Sequence, residues 1–326
     1  MKLTMERNSR EKTVKEAFKE FIVFKRSNNL SEKSIKDYEN IFSIFVNFYG
    51  ENSKCIDIDT NTVEEYICYL QKKPKKANNP KNKNNEEYLS SASIATYIRH
   101  LRAVLNYFIK KGYTNSFTVV IPKFEKEVKE VYTSEELKLL LKKPDLKICT
   151  FSEYRNWVMT NYFLSTANRL ETVRNILIKD LHFSENEIYL RHVKNRKPYC
   201  IPMQKELKKI LIEYLSYRKG EDEDYLFCNE NDDKKPLSNE AIKTVIARYN
   251  NRRGVTKTSV HIYRNTFAKY WILKGGDLLR LQKILGHKKL DMVLEYVDMY
   301  GKDLQKNFDL FNPLSDFTKG THVSLK

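Results

Sequence analysis

The chain has 326 residues and a mass of 38.8 kDa, which gives room for two ordinary domains and is too much for one small core. Hydrophobic residues make up 41% and charged residues 31%, a balance that supports a folded core and argues against extended disorder. Lysine and arginine total 59 against 42 acids, and the resulting formal charge of +17 draws the chain toward polyanions; a mean hydropathy of −0.62, with no run near the ~18 apolar residues of a spanning helix, weighs against a membrane partner.

The stretch from Met1 to Arg7 lacks the apolar run of a secretory signal, so a cytoplasmic protein is expected. Four helices are predicted in the first third. The first carries Val14, Ala17, Phe18, Phe21 and Ile22. The second follows Ser31, carries Ile35, Tyr38, Phe42, Phe45 and Tyr49, and stops at Gly50. A third begins with Thr62-Val63-Glu64-Glu65, which has capping-box spacing, and continues through Tyr66, Ile67 and Leu70. The fourth places Ile94, Ile98, Leu101, Leu105 and Phe108 on one stripe, with Gly112 after it. Between the last two, Lys72-Lys73-Pro74-Lys75-Lys76 and an Asn- and Lys-rich stretch to Asn85 read as a mobile basic loop.

Periodicity lapses around Pro122-Lys123-Phe124-Glu125-Lys126, which predicts a linker over 115–131 between a helical domain, 1–114, and a larger one, 132–326. Thr133-Ser134-Glu135-Glu136 opens a further helix, and the pattern stays mostly helical to the end. The exception is Ile188–Val193 and Tyr199–Ile201, two strand-like runs around Lys194-Asn195-Arg196-Lys197-Pro198, read as a β-hairpin with a basic tip. The fold class expected is therefore mainly α, with a small antiparallel sheet in the second domain. The five cysteines, Cys55, Cys68, Cys149, Cys200 and Cys228, are odd in number and never spaced C-x-x-C, so they read as reduced structural residues.

The markers of nucleotide hydrolysis, dinucleotide cofactors, serine hydrolysis and zinc proteolysis are absent: there is no Walker A, G-x-G-x-x-G, G-x-S-x-G or H-E-x-x-H. The second domain instead carries His261-Ile262-Tyr263-Arg264, with an imidazole and a guanidinium on one helical face. A short helix opened by Asp277 leads to Leu285-Gly286-His287, Tyr296 follows nine residues later, and Thr166-Ala167-Asn168-Arg169 offers an upstream arginine read as helical. On spacing alone Tyr296, three after Val293 and six after Leu290, is a core residue.

In this order, T-x-x-R, basic hairpin, H-x-x-R, L-G-H and a tyrosine nine residues on, the set resembles the tyrosine recombinase (phage integrase) family. The resemblance covers nearly the whole chain, because the four N-terminal helices are similar to that family's SAM-like core-binding domain, notably Ser31-Glu32-Lys33-Ser34-Ile35-Lys36-Asp37-Tyr38. With a first helix beginning near Glu11, the compact Xer-type or mobile-element integrases are the expected relatives.

The resemblance implies an α-rich catalytic domain and a site-specific recombinase that cuts and rejoins double-stranded DNA through a 3′-phosphotyrosyl intermediate. Tyr296 would be the nucleophile, Arg169 and Arg264 the phosphate clamp, His261 and His287 the supporting imidazoles, and Lys194 the acid on the leaving 5′ oxygen. Paired guanidiniums can neutralise the nonbridging oxygens without a metal or other cofactor. A phenol of pKa ~10 needs a proton acceptor, a role either imidazole can fill. Partners implied are a homotetramer on synapsed sites and an accessory DNA-bending protein, and the place implied is the nucleoid; the tail residues Leu304, Phe308, Leu310 and Phe311 dock either on a neighbouring protomer, as in the family, or on their own domain. Arg99 and Arg102 on the fourth helix are the expected groove contacts. Type IB topoisomerase-like relaxation and a DNA-binding protein without chemistry are the competing readings.

Three departures stand out. Ala167 occupies the family's usual glycine position, Glu171 precedes rather than occupies the acidic place at Thr172, and Asn265 replaces a histidine after Arg264. The first two bear on how Arg169 is braced; the third is expected to be neutral.

Overall fold

The computed structural model of the chain describes residues 12–74, 88–124, 128–191, 193, 197–229 and 232–300. Lys194 with the rest of the hairpin tip to Arg196, the basic stretch from Lys75 to Asn85, and the tail residues Leu304, Phe308, Leu310 and Phe311 lie outside the described residues. The chain forms two compact units, Met1–Glu127 and Val128–Lys326.

The first unit consists of α1 (Val14–Ser27), α2 (Glu32–Tyr49), α3 (Thr60–Gln71) and α4 (Ser91–Lys111). The stripe predicted for α4 is its buried face: Ile94, Ile98, Leu101, Leu105 and Phe108 all lie in the core. Each such side chain contributes about 1.5–3 kcal/mol on leaving water. Gly112 then closes the helix in the left-handed conformation at φ +72°. Aromatic rings fill the rest of this core, with Phe18 and Phe42 stacked at 3.9 Å between centroids. One correction concerns α3. Its cap is Asp59, not Thr62: the Asp59 carboxylate accepts from the Thr62 amide and hydroxyl, each at 2.8 Å, so Thr62 sits inside the first turn and the helix starts two residues earlier. A carboxylate beside unpaired helix N–H groups is a strong cap, and it sets the boundary here.

In the second unit, α5 (Ser134–Leu141) packs on α6 (Phe151–Thr166), which is the central helix of the unit. Tyr154, Trp157, Val158, Met159, Tyr162 and Phe163 are all buried, so α6 has no solvent face and no amphipathic stripe to read. After α7 (Leu170–Arg174) come three antiparallel strands, β1 (Leu181–His182), β2 (Glu187–Leu190) and β3 (Tyr199–Pro202), with Ile188 opposite both Leu181 and Ile201. The hairpin is thus present, but its first strand ends at Leu190 rather than Val193, where Arg191 ion-pairs with the buried Asp180. A second ribbon, β4 (Cys228–Asn229) with β5 (Asp232–Pro236), was not anticipated. The helices α8 (Lys205–Arg218), α9 (Asn239–Arg252), α10 (His261–Leu273), α11 (Leu278–Leu285) and α12 (Asp291–Tyr300) complete the unit.

The fold is mainly α with a small antiparallel sheet, as its sequence pattern implies. Among the described residues no helix is long and apolar enough to cross a membrane. No disulfide joins the five cysteines; Cys55 and Cys228 are buried, as a structural role requires, whereas Cys68 and Cys200 are exposed and do not fit the expected packing role.

Candidate active site

The site forms where helices stop. α6 ends at Ala167, whose backbone turns left-handed at φ +52° and ψ 22°. That turn costs a non-glycine residue about 1–2 kcal/mol and explains why glycine suits the position. It also corrects the placement of Arg169, which stands at the N-cap of α7 in the break between helices, not within one. A second left-handed residue, Gly286 at φ +58°, ends α11; a side chain there would place its Cβ 2.7 Å from the Tyr199 hydroxyl. Only hydrogen fits that gap.

Both breaks present backbone carbonyls to the cations. Arg264, on the first turn of α10 and only 6% exposed, donates to the Ala167 carbonyl at 2.8 Å, to the Leu285 carbonyl at 2.6 Å and to His287 Nε2 at 2.7 Å. Arg169, half-buried, reaches the Gly286 carbonyl from both terminal nitrogens at 3.4 and 3.5 Å. Among the described residues no carboxylate pairs with either guanidinium. The nearby Glu171 is engaged elsewhere, with Arg174, Asn175 and Asn239, so the bracing of Arg169 comes from the Gly286 carbonyl. Burial, followed by repulsion from Arg169, lowers the Arg264 pKa to about 10, which leaves it protonated at neutral pH.

Because a guanidinium only donates, His287 Nε2 must accept, which puts the ring proton on Nδ1. Nδ1 is buried without a hydrogen-bond partner among the described residues. Desolvation, then Arg264, Arg169 and Lys129, lowers the His287 pKa to about 4. His261, the first residue of α10, is exposed as a residue, yet desolvation of its ring leads its downward shift, with Arg264, Arg169 and Lys243 adding to it. Both rings are therefore neutral at physiological pH.

A stability profile follows from these shifts. The unfolded chain binds protons on these histidines below their ordinary value of 6.5, and the folded chain does so only lower, at about 4 for His287. Stability is then fully present above about pH 6.5 and falls as the pH drops toward 4. Urea midpoints at about pH 7.5 and 5 measure this, and His287→Gln is expected to flatten the difference.

Tyr296 lies in α12, 4% exposed, in a small core with Ala167, Ala268, Leu281, Leu285 and Val293. It is a core residue and a site residue at once. Its hydroxyl donates to Asn265 Oδ1 at 3.1 Å and sits within the electrostatic reach of both guanidiniums. Asn265 is thus the functional neighbour that sequence reasoning set aside as neutral; its place directly after Arg264 was the available signal. Two further residues went unnoticed. Tyr199 of β3 donates to the Ile284 carbonyl at 3.4 Å beside the arginines, and Lys129 lies over the Tyr296 ring with Nζ 3.9 Å from its centroid.

Arg169, Arg264, His261, His287 and Tyr296 are accordingly brought to one place, whereas Lys194 lies outside the described residues. Arg99 and Arg102 are exposed on α4 in the other unit, Arg99 with its guanidinium carbon 4.9 Å from the Phe124 ring centroid.

The phage integrase family pattern matches residues 130–302, more than half of the chain, and the phage integrase SAM-like domain matches residues 13–124. The chain belongs to the phage integrase family. It is a tyrosine recombinase, an enzyme that cleaves and rejoins DNA strands in site-specific recombination. A tyrosine recombinase of Pseudothermotoga lettingae is 24% identical over 290 residues, covering 87% of this chain and 93% of its own. The tyrosine recombinase XerA of Pyrococcus furiosus is 24% identical, with 80% and 91% covered. Among solved structures, the recombinase shares its fold with the Tn1549 transposon integrase (TM-score 0.68, 18% identity, 87% and 94% covered). It also shares it with a lambda integrase dimer on a core site (TM-score 0.67, 15% identity, 90% and 98% covered).

Proposed function

We propose that Tyr296 is the nucleophile of this recombinase, acting on a phosphate clamped by Arg169 and Arg264. The observation that carries the reading is the phenol of Tyr296 beside two guanidiniums that backbone carbonyls hold in place without neutralising them. Attack by the Tyr296 oxygen on phosphorus forms the phosphotyrosyl bond and breaks the bond to the 5′ oxygen. Negative charge grows on the nonbridging oxygens, where the two guanidiniums would donate hydrogen bonds. The phenolic proton passes to a neutral imidazole. His287 has its Nε2 lone pair committed to Arg264, which leaves His261 as the acceptor. Lys194, outside the described residues, is assigned the proton for the departing 5′ oxygen on the family pattern alone. The phosphoester energy is conserved, so a second 5′-hydroxyl reverses the step without ATP.

The rest of the reading concerns assembly. The helical domain over 1–114 and the catalytic domain over 132–326, joined by 115–131, grip duplex DNA, with Arg99 and Arg102 at the groove. The excess of +17 charges supports phosphate binding with a steep salt dependence. A homotetramer on two synapsed sites, served by an accessory DNA-bending protein, acts on the nucleoid in the cytoplasm.

The test uses paired duplexes bearing the sequences that flank the encoding locus, one labelled, in buffer with EDTA. Exchange of label between duplexes is expected without divalent metal. Supercoil relaxation with no exchange would replace this reading by a topoisomerase, and strict dependence on Mg²⁺ would defeat the two-guanidinium clamp.

A further inference from the structure

The segment that opens the second unit touches the nucleophile's surroundings at three points. Lys129 Nζ lies 3.9 Å from the centroid of the Tyr296 ring and 3.1 Å from Glu295 Oε2, the residue before it on α12. The next residue, Glu130, accepts through its carbonyl from Asn265 Nδ2 at 3.1 Å. That bond fixes which way the Asn265 amide faces, because an amide whose nitrogen is committed to a carbonyl presents its oxygen on the other side. The oxygen is the atom that receives the Tyr296 hydroxyl, at 3.1 Å. Tyr132, two residues on, donates its backbone N–H to Thr266 Oγ1 at 2.9 Å, which ties the strap to α10.

We propose that Lys129 is a positioning residue for Tyr296: its ammonium holds the ring face and the neighbouring Glu295, so the linker sets where the nucleophile stands. This rests on the assignment of Tyr296 as nucleophile. A cation over a phenol is attracted by the ring face, and its pairing with Glu295 ties that ring to a fixed point on α12. The other charged or titratable groups around the phenol and the two guanidiniums are Arg264 and His261 of α10, Arg169 ahead of α7, Tyr199 of β3 and His287 after α11, with Glu295 on α12 itself. The guanidiniums face the phosphate that the reaction must hold. Lys129 is the cation on the ring's face, paired to the helix that carries the nucleophile, and its role acts through Tyr296 rather than on the substrate.

The experiment compares wild type, Lys129→Ala and Lys129→Arg on a nicked suicide duplex built from the locus-flanking DNA, at saturating protein, with covalent adduct followed from about pH 6.5 to 9. Lys129→Ala is expected to form adduct about tenfold more slowly across this range, while Lys129→Arg stays within about twofold of wild type. DNA affinity should be unchanged within about twofold. Equal rates in wild type and Lys129→Ala at every pH would overturn the proposal, as would a uniform loss that arginine does not rescue, or a loss confined to affinity. Each of those leaves the nucleophile standing if Tyr296→Phe still abolishes the adduct. An adduct that survives Tyr296→Phe overturns both assignments.

Discussion

Tyr296→Phe is expected to lower covalent trapping on a nicked suicide duplex by about 10⁴-fold or more, to below detection, while DNA binding stays within about twofold of wild type. The substitution removes one oxygen. The ring remains buried at 4% exposure among Ala167, Leu281, Leu285 and Val293, and the Lys129 ammonium keeps its place over the face. What is lost structurally is the hydrogen bonding of one hydroxyl, to Asn265 Oδ1 and beside Arg264, at about 0.5–1.5 kcal/mol per bond, too little to unfold a domain. The fold is thus expected to survive a change that removes the atom proposed to react. Tyr199→Phe is the matched control, since its hydroxyl also lies beside the arginines and burial raises its pKa. Trapping that persisted in Tyr296→Phe and vanished in Tyr199→Phe would transfer the nucleophile's role to Tyr199.

Arg264→Lys is expected to cut the rate of adduct formation at saturating DNA by about 10²–10³-fold and to destabilise the fold by about 1–3 kcal/mol. The guanidinium spans the Ala167 carbonyl, the Leu285 carbonyl and His287 Nε2 at once, a spread that matches a planar fork and not an ammonium. Any carbonyl the lysine misses is left buried and unpaired. Burial and Arg169, which pull even the arginine down to about 10, act on lysine from a lower starting value, so part of the population loses its charge. Thermal melting read beside the single-turnover rate separates the two losses. A rate within tenfold of wild type would remove Arg264 from the clamp.

Much of this architecture can be read from the chain, for a physical reason that also marks where reading fails. The stripe Ile94, Ile98, Leu101, Leu105 and Phe108 is legible because α4 has a wet face and a dry one. In α6 every direction is dry, so burial leaves no period, and where the helix ends is decided by Ala167 adopting a left-handed turn that its identity does not announce. That is why Arg169 reads as helical from the sequence and stands instead in a break. The strand Asp232–Pro236 is polar throughout and carries no alternation to reveal it. Within the candidate site, the cations, imidazoles and tyrosine are legible through their order. Their supports are not: Asn265 meets Tyr296 across 31 residues and Lys129 meets Glu295 across 166, pairings that only the packed helices create.

The clamp arginines are moored to the peptide chain itself, at Ala167, Leu285 and Gly286. Every amino acid carries that oxygen, so at Ala167 and Leu285 the mooring survives drift in side-chain identity so long as the two helices halt where they do, while Gly286 is held to its identity by the Tyr199 hydroxyl. Selection need only guard the two cations and the shape of the turns that face them.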